Sequence, residues 1–86
     1  EFLWDNRIAA VAGDNFALEP MPHNPALGSL HHRMLPLLGM PMGELFNFEE
    51  LAADCVEDGV YECMLTSAPV HVYGGVASPP NALAIK

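Results

Sequence analysis

The chain has 86 residues, a net charge of −8 and only three fixed cations, Arg7, Arg33 and Lys86. Nothing in it can neutralise a row of phosphates, which excludes nucleic acid as a partner. No apolar run approaches the roughly 18 residues of a membrane span, and no signal peptide is visible.

At this length folding buries only about 60–65% of the unfolded chain's surface, so an isolated body is marginally stable. The sequence is 51% hydrophobic and 16% charged, little polarity for so small a particle. Cys55 and Cys63 could form at most one bridge, and no Cys/His cluster has structural zinc spacing. The composition therefore reads as part of a larger globule whose apolar faces are covered by other chain, in preference to an independent small domain.

The elements follow in chain order. Phe2-Leu3-Trp4 reads as protein interior. Ile8 to Ala12 is a short apolar run closed by Gly13-Asp14-Asn15, which predicts a strand buried on both faces and needing neighbours on both sides. Asp14 and Asn15 fall at its end, where α/β sheets commonly face a ligand crevice, and are substrate-side candidates; a plain Asx turn explains them equally. Glu19 to Gly28 carries Pro20, Pro22, Asn24 and Pro25 and is a loop.

From Ser29 to Leu38 the positions of Leu30, Met34, Leu37 and Leu38 predict a helix, with Ser29 to cap it, Gly39 to end it and Pro36 to kink or shorten it. A second helix is predicted to about Asp58, opened by an Asn47/Glu50 capping box, striped by Phe48, Leu51, Ala52 and Cys55, and ended by Gly59. Tyr61 to Val72 suggests a strand passing at Pro69 into an irregular edge. Gly74-Gly75 and Ser78-Pro79-Pro80-Asn81 are turns, and Ala82 to Ile85 is a closing strand.

Chemistry-bearing residues are sparse. Of His23, His31, His32 and His71, any one is more often a surface or hydrogen-bonded residue than a ligand. His31 and His32 differ by about 100° around a helix, so they cannot both point into one site. Glu44, between Gly43 and the apolar Leu45-Phe46, is either an ordinary turn glutamate or a carboxylate forced into a poorly solvated place. Cys55, and by the same reasoning Cys63, reads as a small buried hydrophobe. No complete site emerges, since a catalytic metal takes three or more protein ligands.

The run Leu30-His31-His32-Arg33-Met34-Leu35-Pro36-Leu37-Leu38, continuing through Gly39-Met40-Pro41-Met42-Gly43 to Glu44, resembles a segment of the cyclase family of metal-dependent hydrolases, which includes bacterial kynurenine formamidases and isatin hydrolases. There a His-Arg pair opens a leucine-rich helix, and a short strand and a glutamate follow. Gly13-Asp14-Asn15, Ala68-Pro69 and Gly74-Gly75 with Ser78-Pro79 are similar to further signatures of that family, so the resemblance runs from about Trp4 to Ile85.

The resemblance implies an α/β fold with a mixed sheet and flanking helices, in which residues 1–86 are the C-terminal segment of one domain. It implies that the sheet is completed by an N-terminal part. His32, twelve positions before Glu44, would bind one metal, Glu44 would bind or bridge a metal pair, and His31 would be the displaced neighbour. The cofactor would be one or two divalent ions, zinc or manganese.

The family's His-x-Gly-Thr-His-x-Asp-x-Pro-x-His motif, which carries the other ligands and the general acid–base histidine, is absent, and His71-Val72-Tyr73-Gly74-Gly75 does not replace it. No catalytic acid–base residue is expected in this segment, and the chain alone is expected to be inactive. The expected activity, with the rest of the enzyme, is hydrolysis of a C–N amide-type bond in a formamide or cyclic amide by metal-activated water. The expected partners are the remaining N-terminal part, on the same or a second chain, and a small-molecule substrate, with a homo-oligomer left open, and the expected compartment is the cytoplasm. The other reading is a non-catalytic interaction segment.

Overall fold

A computed structural model describes residues 1–86. The chain is α/β, with the order α1 (Phe2–Asp5), β1 (Val11–Ala12), α2 (Leu30–Leu38), β2 (Met42–Gly43), α3 (Glu49–Asp58), β3 (Met64–Thr66) and β4 (Leu83–Ile85). It divides into two compact units, Glu1–Asn47 and Phe48–Lys86.

In the first unit β1 and β2 lie parallel, with Val11 opposite Met42 and Ala12 opposite Gly43. The crossover between them contains α2, as a parallel pair requires. The pairing is extended by Val11 N–H to Pro41 O (3.2 Å) and Gly13 N–H to Gly43 O (3.0 Å). Gly43 has a steric reason to be glycine: a Cβ there would run into the Phe46 ring and lie 3.3 Å from the Ala12 Cβ.

Helix α2 starts as expected. Ser29 has extended backbone (φ −109°, ψ 138°), and its hydroxyl accepts from the His32 N–H, which satisfies one of the donors left open in a first helical turn. It stops at Gly39, whose φ of 63° suits a residue without Cβ, and the N–H groups of Gly39 and Met40 close on Leu35 O and Met34 O. Pro36 does not end it. The core here is small, with Met34 and Met40 buried together with the Ser29 cap.

In the second unit α3 begins one residue later than the Asn47 capping box predicts. Phe48 occupies the cap position and has no side-chain oxygen to offer, while Glu49 and Glu50 place negative charge on the first turn. Cys55 is its buried residue. Gly59 ends it at φ 72°. Strands β3 and β4 pair antiparallel, Met64 with Ile85 and Thr66 with Leu83. Past the ladder, Ala68 N–H reaches Pro80 O and the Asn81 side-chain amide reaches Ala68 O, each at 2.9 Å. Lys86 lies between Asp54 (2.6 Å) and Asp58 (2.9 Å), one turn apart on α3. Those carboxylates raise the pKa of the Lys86 ammonium, Asp54 most, and Lys86 in turn lowers that of Asp58.

The expected α/β class, with parallel and antiparallel pairing and helices, is present, its strands forming two two-stranded sheets, one parallel and one antiparallel. Three expectations need correction. The strand predicted over Ile8–Ala12 is ordered as a strand only at Val11 and Ala12; it has one neighbour, and Ala12 is exposed. Cys63 is exposed, and both cysteines are free. Phe2 and Trp4, read as interior, are largely exposed on α1.

Apolar exposure is general. The chain exposes 7232 Å², whereas a compact monomer of its mass exposes about 5000 Å², and even two separate compact bodies of half that mass about 6000 Å². All six residues of β3 and β4 are exposed.

Candidate metal centre

Three side chains of the first unit meet at the start of α2. The His31 ring lies between two carboxylates, with Nδ1 at 2.5 Å from Glu19 Oε1 and Nε2 at 3.3 Å from Glu44 Oε1. Glu19 comes from the proline-rich loop, His31 from the first turn of α2 and Glu44 from the residue after β2. The parallel pairing of β1 with β2 brings them together: it carries Glu44 to the end of its strand, beside the loop that leaves β1.

Each member is held from a second direction. Glu44 Oε1 accepts the Leu18 N–H at 2.7 Å, and the backbone around it is tied to the same loop by Leu45 N–H to Asn15 O and Phe46 N–H to Gly13 O, both 3.1 Å. Leu45 itself has φ 58°, a conformation that side-chain-bearing residues rarely adopt, and its N–H bond to Asn15 holds it there. Glu19 accepts the Leu30 N–H at 2.7 Å and the Ser29 hydroxyl at 2.9 Å. That places a carboxylate at the electropositive N-terminus of a nine-residue helix.

These contacts set the protonation states. The Leu30 N–H, with smaller help from His31 and Ser29, holds the Glu19 carboxyl at about 2, against desolvation that pushes the other way. The Glu19 hydrogen bond, ahead of the attraction of Glu44, raises the pKa of His31. An ionised Glu19 only accepts, so the proton between the two residues sits on His31 Nδ1. In the neutral ring the Nε2 lone pair is then the one facing Glu44.

The expected pairing of His32 with Glu44 is not formed. His32 is exposed and makes no ion pair with Glu44, while His31 takes that place. Helical phase explains it: buried Met34 marks the inward face of α2, and at about 100° per residue His31 lies about 60° from it and His32 about 160°. Asp14 is exposed, and Asn15 caps its own turn through its side-chain amide to Ala17 O at 2.7 Å. Both stand at the end of β1 as the sequence suggested; neither side chain reaches His31 or Glu44. Glu19 was missed by the sequence reading. The signal that could have found it is a lone glutamate between a strand end and a Ser-capped helix.

The donor chemistry fits a divalent ion in part. A separation of 3.3 Å between His31 Nε2 and Glu44 Oε1 is longer than the roughly 2.7–2.9 Å of a charge-assisted hydrogen bond. It matches the edge, about 3.3 Å, of a tetrahedral ion whose nitrogen and oxygen ligands lie at about 2.0–2.1 Å. No group of three or more His, Cys, Asp or Glu in the chain is arranged to hold a metal ion, Glu19 being engaged on the Nδ1 side of His31, so any further ligands come from outside it.

The chain is similar to a solved crystal structure of a novel cyclase, with a TM-score of 0.84 and 44% sequence identity over 99% of its own length. Its likeness is to a cyclase. The chain spans 27% of the length of that cyclase. No family model matches it, and no curated protein does. No helix is long and apolar enough to cross a membrane.

Proposed function

We propose that this chain is a segment of a cyclase-family metal-dependent hydrolase and supplies two ligands, His31 Nε2 and Glu44 Oε1, to a divalent ion, zinc or manganese. The other ligands and the acid–base group come from the remaining part of the protein, which also covers the exposed apolar residues. The observation that carries this reading is the 3.3 Å approach of the His31 and Glu44 donor atoms at a strand end. The likeness to a cyclase over the whole chain supports it.

The ion would lower the pKa of a bound water and polarise a scissile carbonyl, which makes hydrolysis accessible near neutral pH. The residues present do the rest of the local work. His31 offers a neutral nitrogen while its Nδ1 proton stays with Glu19. Glu44 offers anionic charge and is kept from turning away by the Leu18 N–H. The residues after β1, Asp14 and Asn15, form the rim on which a small amide-type substrate, a formamide or cyclic amide, would rest.

The test is zinc content and amide hydrolysis of the complete protein carrying His31→Ala, His32→Ala or Glu44→Ala. Loss of a ligand should exceed the roughly 10–100-fold effect of outer partners on metal affinity, so His31→Ala and Glu44→Ala are expected to lose zinc and activity together. His32→Ala should keep both. Zinc retained by His31→Ala and lost by His32→Ala would restore the His32 assignment that the family resemblance implies and overturn this one.

A further inference from the structure

Glu19 has no place in the ligand set, yet it is the most firmly held carboxylate of the site: its side chain is 12% exposed and receives the Leu30 N–H, the Ser29 hydroxyl and His31 Nδ1. We propose that Glu19 is a positioning residue that fixes the ring orientation and tautomer of His31, so that Nε2 and not Nδ1 is presented to Glu44; this rests on the reading of His31 and Glu44 as metal ligands. The reasoning is one of donors and acceptors. Leu30 and Ser29 donate to the carboxylate and hold it in place, and an ionised carboxylate cannot donate in return. The only imidazole tautomer that satisfies it carries hydrogen on Nδ1, which leaves the Nε2 lone pair free. Ligand histidines are commonly oriented by a carboxylate in this way.

The same stretch of backbone positions the other ligand. Leu18 N–H holds Glu44 while the adjacent Glu19 holds His31, so one dipeptide sets the distance between the two donor atoms. A purely structural role for Glu19, as an anion at the start of α2, would need only the Leu30 and Ser29 contacts.

Glu19→Gln separates the two roles. With its oxygen at the position of Oε2 the amide still accepts from Leu30, so helix α2 keeps a partner for its first N–H, and its nitrogen takes the place of Oε1, which faces Ser29 and His31. Its NH₂ group then faces His31 and needs an acceptor there, which moves the ring hydrogen to Nε2 and removes the lone pair from the Glu44 side. In the complete protein, ¹⁵N-histidine NMR at alkaline pH, without metal, should show Nδ1–H for His31 in the wild type and Nε2–H in Glu19→Gln. Zinc titration should show affinity lower by about 10–100-fold in the variant, with circular dichroism unchanged.

An Nε2–H tautomer in the metal-free wild type overturns the inference without reference to any variant. Unaltered tautomer and zinc affinity in Glu19→Gln overturn it as well. If His31→Ala keeps its zinc, the ligand assignment falls, whereas the tautomer of the metal-free protein still decides what Glu19 does.

Discussion

His31 and His32 are neighbours in the chain and differ in everything that matters for a site. His31 lies between Glu19 and Glu44, and His32 faces solvent. The ion pair with Glu19 also makes stability depend on pH in the metal-free protein. Glu19 titrates at about 2 in the folded state, below its ordinary 4.5, so its contribution is present above the ordinary value and is lost as pH falls through 2. His31 is raised above 6.5, so its contribution is present below 6.5 and is lost as pH rises through the raised value. Thermal melts of Glu19→Gln against wild type, in chelator, should therefore differ most between about pH 4.5 and 6.5 and converge towards either side. A constant difference from pH 3 to 9 would contradict the pairing. Zinc binding should follow the opposite trend on the acid side, because protons compete for Nε2.

The site was half legible in the sequence for a physical reason. Glu44 could be read as a turn glutamate or as a poorly solvated carboxylate, and the structure has it partly buried and engaged. Between the two histidines the sequence alone is undecided and the family resemblance implies His32, whereas Leu30 and buried Met34 define an inward face of α2 to which His31 is closer. Glu19 was invisible because its hydrogen-bond partners are backbone and side-chain groups 10 to 12 positions away, brought to it by the loop's path, and its i,i+4 neighbour His23 approaches only to 3.9 Å.

At the scale of elements, the termini of helices were the most readable features, because Ser29, Gly39 and Gly59 act through their own backbone chemistry. Gly39→Ala should cost about 1 kcal/mol in chemical denaturation: nothing crowds a Cβ there, and the penalty is that of the left-handed conformation alone. Gly43→Ala should cost more and also reduce zinc binding, since the displaced Phe46 ring and Ala12 side chain adjoin the strand that carries Glu44. Equal effects of the two substitutions would argue against that crowding. Strands were less readable, because a strand of two or three residues leaves almost no periodicity. Ile8–Ala12 and Ala82–Ile85 read as strands from composition, and only the first was expected to be buried; its strand residues Val11 and Ala12 are half-buried and exposed. Lys86 ties the end of the β3–β4 hairpin to the last turn of α3, so Lys86→Met should speed amide hydrogen exchange at Cys55 to Asp58 and at Leu83 to Ile85. Unchanged exchange would mean that the pairing is merely a surface contact.

For the whole molecule, composition and structure agree on a deficit of covering surface. An excess of apolar side chains in the sequence reappears as exposed Leu37, Val56, Tyr61, Leu65 and Tyr73. With two donors and no third, the 86-residue chain alone should bind zinc weakly and hydrolyse no amide, and it should bind a hydrophobic dye. Calorimetric titration with Zn²⁺ and dye fluorescence check both, and tight zinc binding by the isolated chain would count against the shared site.

The dipeptide Leu18-Glu19 has a consequence for how such a chain can vary. Because it meets Glu44 through one residue and His31 through the next, the number of residues from Gly13 to Glu19 is a ruler. Inserting or deleting a single residue there would shift both partners out of register together. The proline-rich stretch just beyond, Pro20 to Gly28, is exposed throughout and could lengthen or shorten with far less effect.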